Sequence, residues 1–457
     1  PSHLSLSLSL SLSLSLSLSL SLSDLGSLLA KLEIFNWRME SLPEALVQCI
    51  LSQMNNAKDV AACNCVSKRW QEALPYLKSL YFPRNLFDNL SGIDHPDSII
   101  CKMITSVVQL EDLVVYTLFT GAGLASWLQI AGSTLKHLEL RMDNIAETQP
   151  SSESPSKVDC IGIAKNLESL KLWGVLMIDP PKWDGFLKLT NLEIVGARLE
   201  DSALSAVLQA SPNLRSLLLL GCEGIRTLEI RLPHLEQCKL DFYGSGYCSL
   251  TLTCPRIHSL EVQGCSWIRV RETDCLRNLS ISNNTGRVSM VDFSKLAALE
   301  MLSIRGIQWR WDAINTMLKL AFDVKHLYMK IEFTGDHSDL QPFPEVDFAD
   351  FFSSHPKLQK FELHGAMFAA LCQKNSLKDV GPSFVIPSLQ HLVVTIRSPL
   401  NAEQKISTLE SLLKCGKNLK CCVVRILQMK SNHSSADDFF DDVCRLRRMH
   451  HKIVRIE

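Results

Sequence analysis

The residues that could carry chemistry in this chain are scattered, and their spacing suits none of the usual reactions. Cys63-x-Cys65 and Cys421-Cys422 lack the separation with which thiolate pairs close on zinc. Gly121-Ala122-Gly123 runs on as Leu-Ala-Ser, without the third glycine of a phosphate cradle, and reads as a turn. Asp437-Asp438 and Asp441-Asp442 precede Arg445, Arg447 and Arg448, a pattern expected of a solvated helix in which charge neutralises charge. No phosphate loop, His-Glu-x-x-His or Gly-x-Ser-x-Gly is present. The expectation is a non-enzymatic chain with no catalytic residue, no metal and no cofactor. What remains is recognition chemistry, through apolar and charged side chains held on a regular surface.

The surface is set by a repeat. Leu-x-x-Leu-x-Leu, with aliphatic or aromatic substitutes, starts at Leu77, Leu110, Leu135, Leu167, Leu189, Leu214 and Leu235. It recurs at Ile257, Leu276, Leu299, Val324, Leu358, Leu389 and Leu419. These fourteen matches are about 26 residues apart, inside the range of leucine-rich repeats. The position eight residues after the first apolar residue holds Cys222, Cys265 and Asn284. Each segment supplies one short strand to a parallel sheet, and its leucines enter a core that no single repeat can close. Between Leu214 and Leu299 the spacing shortens. Second alternating runs appear there at Ile225, Tyr247, Ile268 and Arg287, and these are expected as strands on the return side. Elsewhere the return is expected to be helical, as in Leu199 to Asn213, Phe348 to Pro356 and Ile406 to Lys414. The fold class is thus α/β, a leucine-rich-repeat solenoid with a curved parallel sheet and a mixed helical and strand return side.

Period two sends the residues between the leucines to the opposite face. They include Glu139, Lys171, Glu193, Lys239, Asp241, Glu261, Gln263, Arg305, Tyr328 and Lys330, a mixed-charge surface. Trp173, Val195, Leu218 and Leu220 fall together on three consecutive repeats and form the candidate substrate-binding patch. His137, His326, His364 and His391 are also outward, but repeats apart and without grouped cysteines or carboxylates.

Before the repeats stands MESLPEALVQCILSQMNNAKDVAACNCVSKRWQEAL, from Met39. Ser41 and Glu44 have capping-box spacing, with Pro43 in the first turn. The pattern predicts a helix from Pro43 to Gln53 and two short helices over Lys58 to Cys65 and Ser67 to Leu74. Leu42, Leu46, Cys49, Ile50 and Gln53 fall along one side of the first helix, and Val47, Leu51 and Met54 along a neighbouring one. So small a unit buries too little apolar surface to stand alone, so its surplus packs on the first repeat or docks on another protein.

Leu42-Pro43, Leu46, Ile50-Leu51-Ser52, Val60 and Cys65-Val66-Ser67-Lys68-Arg69-Trp70 resemble an F-box. With the repeats behind it, the chain from Met39 onward resembles plant F-box/leucine-rich-repeat proteins. Its end, Ile406 to Ile426, is similar to the C-terminal module of many of them. The resemblance implies the substrate receptor of an SCF-type cullin–RING ubiquitin ligase, gripping a Skp-family adaptor, and through it cullin, and holding an unidentified protein substrate on the repeats. By position it implies Leu42, Pro43, Leu46, Ile50, Leu51, Val66 and Trp70 as adaptor-facing. Ala61-Ala62-Cys63-Asn64 departs from the family pattern in the second helix. The implied organisation is an all-α F-box over 39–83, repeats over 84–400 and an end module over 401–457. A hormone receptor of the same architecture and a scaffold outside ubiquitin transfer are the alternative readings.

Composition adds limits. The net charge is −1, with 46% hydrophobic residues and sixteen cysteines in no disulfide-like framework. A nucleic-acid partner needs a basic footprint, and none is expected here. No run is apolar enough for a membrane span, and the expected location is cytoplasmic or nuclear. The strict Leu-Ser alternation from Leu4 to Ser23 is what an alternating TC tract encodes, TCT-CTC being Ser-Leu. Residues 1–38 are therefore expected to be an untranslated leader read in frame, disordered and outside the fold, with the true start at Met39.

Overall fold

The computed structural model describes residues 43–457, apart from 66–67, 88–94, 144–155, 245–246, 332–342, 398–400, 428–433 and the side chains of 434–436. The leader lies outside the described residues. The chain divides into a small unit that ends at Tyr81 and takes in Ser106–Leu110, and a large unit of Phe82–Thr105 and Glu111–Glu457.

In the small unit, helices Glu44–Ser52, Ala57–Asn64 and Lys68–Ala73 are followed by a 3-10 turn, Leu74–Tyr76. Pro43 stands at the cap of the first helix, with φ −54° and ψ 142° and no side-chain cap bond. It is not in the first turn as the capping-box spacing predicts; Ser41 lies outside the described residues. Asn56 breaks the chain by capping the second helix, its Oδ1 accepting from Lys58 N at 3.0 Å. Tyr81 N then bonds back to Asn55 O at 2.7 Å, tying the end of the unit to its first break. The first and second helices both pack on Lys68–Ala73.

All fourteen Leu-x-x-Leu-x-Leu segments carry a strand, each starting two residues after the first apolar residue. In the large unit these strands follow one another in chain order from Asp112–Val115 to Cys421–Ile426, each parallel to the last. Val454–Ile456 adds one more strand beyond them, so the order continues unbroken through the end module. This last strand has no leading leucine, which is why the repeat pattern misses it. The inward residues are sealed: Leu170, Leu172, Leu192, Ile194, Leu217 and Leu219 are all at 0% exposure. Full burial stabilises by about 1.5–3 kcal/mol for each such side chain. Asn166, Asn213 and Asn418, each just before a first leucine, donate Nδ2 to the preceding repeat at Ser133 O, Leu187 O and Pro387 O. These bonds satisfy turn carbonyls that stacking takes from water.

The return side follows the expected division. Thr227–Arg231, Cys248–Thr253, Cys265–Arg271 and Met290–Phe293 form a second parallel sheet in chain order. Helices Asp201–Gln209, Phe348–Ser354 and Ala402–Cys415 occupy the predicted helical connections. A two-residue pairing, Leu176–Met177 with Arg198–Leu199, is a further return strand pair that alternation is too short to reveal.

Two further readings are corrected. Gly121-Ala122-Gly123 is the start of helix Gly121–Ala131, not a turn. Thr120 Oγ1 caps it by accepting from Gly123 N at 3.0 Å, and the Asp97 carboxylate lies where a side chain at Gly123 would sit. The third consensus residue is Asn283 rather than Asn284. Asn283 is buried and Asn284 exposed, because the register shifts between Asn283 and Arg287. The Asn283 amide donates to Cys265 O and accepts from Gly286 N at 2.8 Å.

Candidate functional site

The first helix of the small unit has two unlike apolar sides. Val47 and Leu51 are buried at 0% and 1%. A quarter-turn round, Leu46 is 49% exposed, Cys49 exposed and Ile50 half-buried. Residues four apart lie one above the other, so Leu46 and Ile50 make a short apolar stripe, with exposed Pro43 at its head. Of the adaptor-facing residues implied by resemblance, the structure thus places Pro43, Leu46 and Ile50 at the surface. Leu51 and Trp70 are inside, where they back the stripe and present no surface to a partner. Trp70 Nε1 is buried without a partner among the described residues. Leu42 and Val66 lie outside the described residues.

In the large unit, register decides which outward side chains meet. Arg141, Trp173, Val195 and Leu220 are successive cross-strand partners. Glu139, Lys171, Glu193, Leu218 and Lys239 form the parallel row two residues earlier. Trp173, Val195, Leu218 and Leu220 are therefore brought together, each half-buried. Trp173 is fixed from two directions. Its Nε1 donates to Glu139 Oε1 at 2.7 Å, and Lys171 Nζ lies 4.7 Å from its ring centroid. Tyr116 also donates to Glu139 Oε1, at 2.5 Å. A residue the alternation missed extends the patch: Tyr243, 57% exposed, stands beside Gly221. Gly221 has φ +63°, and a side chain there would press on the tyrosine ring. The signal is a glycine one residue before the end of one strand and an aromatic just after the end of its neighbour in the sheet.

Further along, the face becomes polar. Lys239 pairs with Glu261 at 3.0 Å, and Arg305 Nη2 reaches Glu261 at 3.4 Å and Ser280 Oγ at 3.1 Å. An open cleft there is lined by Gln263, Ser282, Asn284, Arg305, Ile307 and Lys330. Asp241 has one buried oxygen without a partner among the described residues. Burial pushes its carboxyl up, against the backbone N–H of Gly221 that favours the charged form. Towards the end of the sheet His364 keeps its outward place in the register, beside Lys330 and Thr395, but is buried there. Glu362 lies against it at 3.1 Å, Thr395 at 3.4 Å, and Arg425 closes on Glu362 at 3.2 Å.

The buried cysteines pack as small apolar groups. Burial pushes the thiols of Cys222 and Cys254 up to about 11 and those of Cys372 and Cys422 up to about 12, far from the thiolate a nucleophile or metal ligand needs. Among the described residues no group of three His, Cys, Asp or Glu could hold a metal ion. Among them also, no helix is long and apolar enough to cross a membrane.

The chain is similar to known proteins. The At1g61320/AtMIF1 LRR domain family matches residues 103–379, which cover the strands from Asp112–Val115 to Lys360–His364. The F-box protein At1g10780 of Arabidopsis thaliana is 61% identical over 419 residues, 92% of this chain and the whole of that protein. The chain belongs to the F-box/leucine-rich-repeat family.

Proposed function

We propose that the chain is the non-catalytic substrate-recognition subunit of an SCF-type cullin–RING ubiquitin ligase, working in the cytoplasm or nucleus. Residues 39–83 dock a Skp-family adaptor, and through it cullin. The repeats over 84–400, with the end module over 401–457, hold a target protein. The observation that supports this reading is the Leu46–Ile50 stripe. It leaves an apolar helix face uncovered beside a fully buried one, the form a helix takes when a partner groove completes it. The outward patch of Trp173, Val195, Leu218 and Leu220 is the proposed substrate surface. Function then follows from proximity, since tethering raises the effective concentration of target lysines at the conjugating enzyme.

Leu46→Arg tests the reading. Removing one apolar contact of about 1.5–3 kcal/mol and adding a charge to a desolvated interface is expected to weaken adaptor co-purification by tenfold or more. The melting temperature is expected to stay unchanged, because Leu46 is half-exposed. Adaptor binding at wild-type affinity in this variant would overturn the docking assignment.

A further inference from the structure

Arg305 and Lys330 are direct partners on neighbouring strands, both on the outward face and both half-buried. Like charges placed opposite each other in a sheet repel and destabilise it. Elsewhere the face resolves such charges: Lys171 is held between Glu139 and Glu193, and Lys239 on Glu261. Among the described residues Lys330 has no such carboxylate, and its partner on the far side is His364. Arg305 shares Glu261 with Lys239 and makes no other ion pair among the described residues. The two cations flank the cleft with Gln263, Ser282 and Asn284. There Ser282 Oγ donates to Gln263 Oε1 at 3.2 Å.

We propose that this cleft binds an anionic side chain, a carboxylate or a phosphate ester, carried on an extended segment of the protein captured by the repeats. The same segment sets apolar side chains on the row of Trp173, Val195 and Leu220. The anion takes Lys330 and Arg305 as charge-assisted donors and Gln263 as a neutral one. The inference rests on the substrate-receptor reading and adds the substrate's chemistry to it. It also sets a spacing. Leu220 and Arg305 are separated by four strand steps. At about 4.8 Å each these span roughly 19 Å, or about six residues of extended chain.

The test uses the full chain and fluorescein-labelled 14-residue peptides in a Ser/Ala background. Each peptide carries Leu-Phe-Leu followed, six residues on, by Asp, phosphoserine, Asn or Lys. The Asp or phosphoserine peptide is expected to bind about tenfold tighter than the Asn peptide. Lys330→Ala is expected to erase that preference and Lys330→Glu to transfer it to the Lys peptide. Equal binding of the Asp, phosphoserine and Asn peptides, a preference that survives Lys330→Glu, or no peptide binding at all overturns the proposal. So does a result in which inorganic phosphate binds and the peptides do not, which makes the cleft a small-anion site. Adaptor co-purification is measured on the same variants. Its failure with the peptide preference intact sinks the ligase reading alone, and the reverse outcome sinks this proposal alone.

Discussion

Lys171 and Lys330 sit on the same face of the same sheet in opposite electrostatic settings. Lys171 lies 3.8 Å from Glu139 and 3.2 Å from Glu193, and over the ring of Trp173. Lys330 lies between Arg305 and His364 in the register. The first neighbourhood is internally neutral and offers a partner an apolar surface. In the second, Lys330 has no carboxylate partner among the described residues, and what it offers is selectivity for sign. A repeat fold makes both from one backbone geometry, because inward residues set the stacking and outward residues vary without disturbing it.

The largest expected break in this comparison comes from reversing each lysine. Lys171→Glu loses two ion pairs and lines up three carboxylates across neighbouring strands. Cross-strand pairs contribute about 0.2–1 kcal/mol each, so the loss is expected to be about 1–2 kcal/mol. Lys330→Glu has the opposite sign. It replaces a like-charge pair with an Arg305 ion pair and is expected to add about 0.5 kcal/mol. Urea midpoints for the two variants check this. Shifts of the same sign at both sites would show that the two neighbourhoods do not differ as described.

A middle-sized effect is expected from Glu139→Gln. The carboxylate accepts from Tyr116 and Trp173 and faces Lys171. The amide keeps one acceptor oxygen but loses the charge, which is expected to cost about 1 kcal/mol. It should also loosen Trp173, since the indole N–H then bonds to a neutral oxygen. A fall in melting temperature together with a solvent-shifted Trp173 emission, resolved against Trp173→Phe, checks it. An unchanged melting curve would mean that solvent already screens the cluster.

The inward half of this fold was legible because burial enforces period two: Leu170, Leu172 and their counterparts sit under every quoted segment. The outward half was legible residue by residue but not pair by pair. Sequence places Arg305 and Lys330 on one face, yet only register makes them neighbours, and register depends on connections of unequal length. The same limit explains the displaced Asn284, where an irregularity in the strand moved the buried position to Asn283. His364 keeps its outward place but is buried, because alternation cannot see Glu362, Thr395 and Arg425 closing round it. In the small unit the helix period separated the side of Leu46 and Ile50 from that of Val47 and Leu51. The family motif did not make that separation: it grouped Leu51 and Trp70 with the exposed residues, since a motif records which types recur and not which atoms reach solvent.

The smallest expected effect lies between the two neighbourhoods, at Asp241. Burial raises its carboxyl in the folded state, with the charge of Glu261 adding to the rise and Lys239 opposing it. A raised folded value means that the folded chain holds the proton more tightly than the unfolded chain. The stability this supplies is present at pH below the ordinary carboxylate range and is lost as pH rises through the folded value. At neutral pH the charged group is carried at a cost, with one buried oxygen unpartnered. Asp241→Asn removes that cost, so the variant is expected to be slightly more stable than the parent at pH 7, by a few tenths of a kcal/mol. The difference is expected to shrink towards zero near pH 3–4. Melting curves at the two pH values check the sign. A variant less stable than its parent at pH 7 would mean that the bond from the Gly221 N–H outweighs desolvation, and that the charge at Asp241 supports the sheet.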